Sequence, residues 1–193
     1  LIKLKREERE ILEYYYFKDA KLQKAKEAKQ TRGEVVSEIE EQLLEIYANE
    51  ALHVKPELLS KRGGARYSEV AINLVDSIYN DKGDIQVVNT LNKGAIPFMA
   101  DSDAVEISAV IDKNGAHPIP AHFDNEHIKE YMLMMKAYEK HAVKAAISGD
   151  EDEAMRALLI NPLVFDYKKA YPCFQELKQA HKEFLPQFFK EKK

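Results

Sequence analysis

Lys61-Arg62-Gly63-Gly64-Ala65-Arg66-Tyr67-Ser68 and, further on, Val87-Val88-Asn89-Thr90-Leu91-Asn92-Lys93-Gly94-Ala95-Ile96-Pro97 bracket the stretch whose reading decides the fold. After the glycine pair, Tyr67, Val70, Ala71, Leu74, Val75 and Ile78 recur at helical spacing and predict an amphipathic helix, closed by Asn80-Asp81-Lys82-Gly83. A β-branched run from Ile85 to Thr90 then reads as a strand that ends in two asparagines and a glycine. Arg62 and Arg66 flank the glycines just before a helix start, where unpaired N–H groups and the helix dipole favour an anion. The alternative is a simple turn with solvated arginines. Asn89 and Asn92 have the donors and acceptors to hold a sugar hydroxyl or a cofactor amide, and equally the chemistry of a turn.

Outward from that stretch the pattern stays mixed. Val105, Ile107, Ala109 and Ile111 alternate with Glu106, Ser108 and Val110, and Asp112-Lys113-Asn114-Gly115 turns the chain into a short third strand around Ala116 to Ile119. Pro118 and Pro120 end it. A long helix follows from Asn125 to Ser148, then one opened by the carboxylates of Gly149-Asp150-Glu151-Asp152 and running through Ile160, where Asn161-Pro162 breaks it. A last helix spans Lys168 to Phe184 before Pro186-Gln187-Phe188-Phe189. On the N-terminal side, Glu7 to Lys29 reads as a helix with a thin apolar stripe, and Val36, Ile39, Leu43, Ile46 and Tyr47 mark an amphipathic one. The expected fold is α+β: a single domain over residues 1–193, mostly helical, five or six helices around a small mixed or antiparallel sheet of about three strands. So small a sheet needs an edge covered, which suggests docking on another domain or on a second copy.

Composition narrows the function classes. The chain has 193 residues, 45% of them apolar, and net charge −4. At this length a core can bury roughly 70% of the unfolded surface without staples. An excess of 33 Asp+Glu over 29 Lys+Arg argues against nucleic acid as the main partner, because a duplex-binding face must be basic. No long apolar run suggests a membrane span, and the single cysteine, Cys173, excludes an internal disulfide framework, so a cytoplasmic setting is expected. The first residue is Leu1, followed by a mixed charge run from Lys3 to Glu10, which reads as a cut end, a processed end or a solvated helix.

Further candidates read best as structure. His117, His122 and His127 fall five apart with Asp124 and Glu126 between the last two, but that spacing does not stack ligands on a helix face, which needs three or four. Tyr14-Tyr15-Tyr16 offers a general base or, more simply, rings for a core. Cys173 is expected to be a buried thiol, and Met132, Met134 and Met135 to pack.

Five segments, taken in order, resemble glycoside hydrolase family 4, and within it the 6-phospho-β-glucosidase branch. They are Thr31 to Val36, Lys61 to Ser68, Val88 to Ile96, Asn161 to Val164 and Ala180 to Pro186. The resemblance runs from about Tyr14 to Phe189 and corresponds to the C-terminal half of such an enzyme. It implies the substrate-side and oligomerising half, with a fold like the C-terminal domain of family 4 glycosidases and of lactate and malate dehydrogenases. Family members use NAD and a divalent metal, usually manganese. They oxidise the sugar at C3, take the acidified C2 proton with a tyrosine and expel the aglycone, apart from the usual two-carboxylate route. The expected partners are a phosphorylated sugar and further copies of the chain, with no nucleic acid and no membrane.

The resemblance also marks departures. A dinucleotide fold opens with a strand, a glycine-rich turn and a helix, and this sequence carries none, so neither NAD nor metal is expected to bind this chain alone and no turnover is expected from it. Where the family reads Tyr-Leu-Arg-Tyr-Tyr, the chain has Ile11-Leu12-Glu13-Tyr14-Tyr15. If the base is the first tyrosine of that pattern, Ile11 has replaced it; if the second, Tyr14 survives. Arg32 matches the arginine beside the sugar phosphate, and Asn89 and Asn92 match an Asn-Thr-Arg-Asn-Asn-Gly segment whose arginine is Leu91 here and whose second-last asparagine is Lys93. The alternative to an enzyme's C-terminal domain is a non-catalytic homologue serving as an oligomerisation or phosphosugar-binding module.

Overall fold

A computed structural model of the chain describes residues 13–63 and 67–190, without the side chains of Glu13 and Tyr14. It divides into two compact units, one from Lys24 to His122 and one made of the chain up to Gln23 and from Phe123 onward.

The central unit is built on α3 (Arg32–Tyr47), α4 (Leu58–Arg62), α5 (Tyr67–Tyr79) and three strands, β1 (Asp84–Leu91), β2 (Ala104–Asp112) and β3 (Gly115–Pro118). The sheet is antiparallel throughout, ordered β1-β2-β3, with β1 and β2 paired without a break from Asp84 opposite Ile111 to Leu91 opposite Ala104. Strand periodicity decides its faces. Val105, Ile107, Ala109 and Ile111 are buried, while Glu106 and Ser108 turn outward. Burying branched side chains in this way stabilises by about 1.5–3 kcal/mol each. The Thr31-Arg32-Gly33-Glu34 stretch that opens α3 is a complete capping box: the Thr31 hydroxyl accepts from Glu34 N while the Glu34 carboxylate accepts from Thr31 N. The bonds that the Glu34 carboxylate accepts from Thr31 N and from the Thr31 hydroxyl hold it below its usual range.

Helix α5 stands where its spacing places it, but its packing is polar. Its buried contact is polar: Ser77 is fully buried and donates to Asp84 Oδ2 at 2.9 Å, while Gln86 Nε2 donates to Ser77 Oγ and to the Asn73 carbonyl. The apolar stripe of this amphipathic helix is open, with Val70, Val75 and Ile78 exposed and only Leu74 half-buried. A three-stranded sheet is too narrow to cover the whole helix face, and Ile72 and Tyr79 are exposed as well.

The second unit is helical: α1 (Glu13–Tyr16), α2 (Lys18–Glu27, which the unit boundary crosses), α6 (Glu126–Ser148), α7 (Glu151–Ile160), α8 (Tyr167–Ala180) and two 3-10 turns, Lys182–Phe184 and Pro186–Phe189. The long N-terminal helix expected from Glu7 is interrupted at Phe17, and α2 buries no residue, as its thin apolar stripe implies. Small buried residues, Ala145 on α6 with Ala154 and Ala157 on α7, let those helices approach closely. Gly149 closes α6 in the left-handed conformation (φ 73°) and Asp150 caps α7 through Asp152 N and Glu153 N. Cys173, expected to be buried, is exposed on α8. An amphipathic helix has two faces, and this thiol falls on the wet one.

Glu153 carries more than a helix start. Buried to 4% exposure, its carboxylate accepts from Lys144 Nζ and Arg156 Nη1, each at 2.8 Å, and from His141 Nδ1 at 2.5 Å, tying α7 to α6. The bonds from Lys144 and His141 outweigh desolvation and pull its pKa from 4.5 to about 2. A folded-state pKa below the unfolded one contributes stability that is complete above pH 4.5 and lost as pH falls to about 2. Glu153→Gln is therefore expected to lower the melting temperature at neutral pH, with the gap to the parent closing below about pH 2.5. Circular-dichroism melts across that range check it; a pH-independent gap refutes the assignment.

Candidate functional site

Arg32 sits at the first turn of α3, where the capping box fixes the backbone that carries it. Its Nη2 donates to the carbonyls of Lys61 at 3.0 Å and Arg62 at 2.8 Å, the last carbonyls of α4, which a helix of five residues cannot satisfy internally. Arginine presents five donors in a rigid fork, and among the described residues Nε and Nη1 of Arg32 have no partner. The guanidinium is exposed and held in place from one side, so its other edge meets solvent with the geometry of a carboxylate or phosphate receptor. Arg62 is engaged differently, donating to Glu40 Oε1 at 3.1 Å. Gly63, beside them, has φ 91°. Gly64 and Arg66 of the same loop lie outside the described residues.

The end of β1 separates its two asparagines. Asn89 stands on the exposed outer face of the sheet, opposite Glu106 and between Val87 and Leu91. Asn92 is fully buried: its Nδ2 donates to the carbonyls of Ile96 and Met99, both at 3.0 Å, and its Oδ1 accepts from Ile96 N at 2.7 Å. The structure gives that amide to the loop from Asn92 to Asp103 and presents it to no ligand. Further bonds close the loop, from Asn92 N to Asp103 O at 2.8 Å and from Lys93 N to Asp101 O at 3.0 Å. This internal role is invisible to spacing alone. A signal was nonetheless present, since Lys93 and Gly94 after the asparagine lead into the apolar Ala95-Ile96 pair, both buried.

Two family departures acquire physical content. Lys93 adopts φ 48°, in the left-handed region that asparagine tolerates and lysine does not favour. Leu91, 49% exposed on the Asn89 face, puts an isobutyl group where a guanidinium would extend.

Tyr14 lies in α1, in the other unit, with its side chain outside the described residues, and Ile11 lies outside them altogether. The two following tyrosines are structural anchors. Tyr15 donates to Met135 Sδ at 3.5 Å and packs on Tyr131; the Tyr16 hydroxyl meets His127 Nε2, and the two rings stack. Tyr131 stands edge-on to both Tyr16 and His127. His127 is thus spent on Tyr16, and His117 on Asp112, which its Nε2 contacts at 3.0 Å.

Among the described residues no three His, Cys, Asp or Glu side chains are grouped to hold a metal, and the sheet is antiparallel, whereas a dinucleotide fold is a parallel one entered by a glycine-rich turn. No helix among the described residues is long and apolar enough to cross a membrane.

Comparison with known proteins bears directly on this arrangement. The profile of the family 4 glycosyl hydrolase C-terminal domain matches residues 8–164. A probable 6-phospho-beta-glucosidase of Bacillus subtilis is 45% identical over 179 residues, which are 91% of this chain and 40% of the relative. The 6-phospho-beta-glucosidase of Escherichia coli is 35% identical over 90% of the chain and 40% of its own length. The structure of the Thermotoga maritima 6-phospho-beta-glucosidase with manganese, NAD+ and glucose-6-phosphate superimposes with a TM-score of 0.82 at 29% identity, covering 90% of this chain and 41% of that one. The chain thus spans about two fifths of the length of the relatives it matches.

Proposed function

The chain belongs to the family 4 glycosyl hydrolases, whose C-terminal domain it carries, and from that premise we propose that it forms the substrate side of a 6-phospho-β-glucosidase. In this reading Arg32 receives the sugar phosphate, Asn89 bonds a sugar hydroxyl, and Asn92 acts one step back by shaping the loop that ends β1. Tyr14 stands as the candidate base at the family's second tyrosine position, with Ile11 at the first. NAD and manganese belong to the complete family enzyme, which would carry out the redox-elimination reaction at the junction with the remainder of the polypeptide. The observation that carries the proposal is Arg32: one edge of its guanidinium is anchored on two carbonyls and the other is open, so a phosphate would meet a receptor already ordered.

Calorimetric titration of this chain with glucose 6-phosphate tests it. A saturable heat is expected from the parent. Arg32→Lys keeps the charge and loses the fork, at a cost of roughly 1.5 kcal/mol or about tenfold in affinity, and Asn89→Ala should weaken binding by less. Flat heats from the parent overturn the proposal and leave an assembly role, the alternative open to a chain with Leu91 and Lys93 in its binding segment. Self-association is also proposed, favoured by the exposed stripe Ile72, Val75 and Tyr79 on α5, and a monomeric mass by light scattering counts against it.

A further inference from the structure

The two edges of the sheet are built differently. β3 is only four residues long and ends at Pro118, the short, proline-blunted form that natural edges take. β1 is eight residues long, contains no proline and no lysine, and its single charge, Asp84, lies at one end. Its pairing with β2 has no bulge, and among the described residues no strand pairs with its other edge. Ile85, Val87 and Leu91 are 65%, 61% and 49% exposed along it. Beside this edge runs a cleft of about 600 Å³ bounded by Val70, Asn73 and Asp76 of α5 and by Ile85, Gln86 and Val87 of β1. A long, bulge-free edge beside a helix-walled groove, with Lys82 and Asp84 at one end of the groove, is the geometry that accepts an added strand, whose main chain bonds to the edge while alternate side chains enter the groove.

The candidate occupant follows from length. The match covers 90% or more of this chain but only 40% of the Bacillus and Escherichia relatives, and it falls on the family's C-terminal domain. More than half of each relative therefore has no counterpart here, and it precedes the matched region. We infer that the free edge of β1 is a strand-docking site for an extended, apolar-alternating segment from that preceding region of a family 4 chain. The added strand extends the sheet to four strands and brings the preceding region alongside the Asn89 face. The inference rests on family membership and is independent of whether Arg32 binds phosphate.

Hydrogen–deuterium exchange, read by mass spectrometry on this chain and on the full-length Bacillus subtilis relative, tests it over a dilution series, with light scattering on the same samples. About half of the β1 amides should exchange rapidly in this chain and at least roughly 100-fold more slowly in the relative, at every concentration, while β2 amides differ little. Equal exchange of β1 in the two proteins overturns the inference. So does protection that appears in this chain as it dimerises, or is lost from the relative as it dissociates, because the occupant would then be a second copy. Failure of the glucose 6-phosphate titration leaves this result untouched, so the two readings fail separately.

Discussion

Gly149→Ala is expected to cost the fold about 2 to 6 kcal/mol. Two terms add. Gly149 ends α6 at φ 73°, which no side chain adopts without strain of about 1–3 kcal/mol. A methyl group there would also run into the backbone of the second 3-10 turn, overlapping the Gln187 carbonyl and lying 2.9 Å from Phe188 N. Backbone cannot rotate out of the way as a side-chain tip can, so the turn must move, with an overpacking cost of about 1–3 kcal/mol. That turn is held in place, since Gln187 Nε2 donates to the Ala146 carbonyl at 2.7 Å and Phe188 packs edge-on to Phe174 of α8. Urea unfolding of the two proteins measures the difference, and a loss below about 1 kcal/mol would show that the close approach is not maintained in solution.

Asn92→Ala should cost about 2 to 4 kcal/mol and, unlike Gly149→Ala, should also reach the candidate site. Truncation leaves the Ile96 N–H and the Ile96 and Met99 carbonyls without the partner each now has, in a place where Asn92 itself is fully buried. An unsatisfied buried group costs about 1–3 kcal/mol. Asn92→Asp is no remedy: a carboxylate still accepts from Ile96 N but cannot donate to either carbonyl, and it buries a charge with no partner. If Asn92 shapes the loop beyond β1, glucose 6-phosphate affinity falls in Asn92→Ala even at temperatures where the protein stays folded. Unchanged affinity in a folded variant would separate the loop from the site.

How far the residues foretell these features depends on range. The capping box at Thr31, the alternation along β2 and the Asp112 to Gly115 turn are local chemistry, and each element stands where its pattern places it. Burial is another matter, since a helical stripe says that a helix has an apolar side and nothing of what covers it. The open stripe on α5 and the wet face that carries Cys173 both follow from that gap. Site residues follow the same rule. Residue type singles out Asn89 and Asn92, and the family resemblance Arg32, yet only three-dimensional neighbours distinguish an asparagine turned to solvent from one enclosed by Ile96 and Met99. Glu153 carries no local mark of its role because its three partners, Arg156, Lys144 and His141, lie three, nine and twelve positions away.

The exposed Cys173 has a practical consequence for every experiment on assembly. Being the chain's single thiol and accessible on α8, it can couple two molecules through air oxidation, because thiol–disulfide chemistry needs access above all. Such a covalent pair would double the mass seen by light scattering while leaving the edge of β1 and the stripe on α5 as open as before. Reductant, or Cys173→Ser, keeps chemical cross-linking apart from molecular recognition. The same thiol also offers a unique attachment point for a reporter dye, in the unit that carries α6 to α8, whereas Arg32, Asn89 and Asn92 belong to the other.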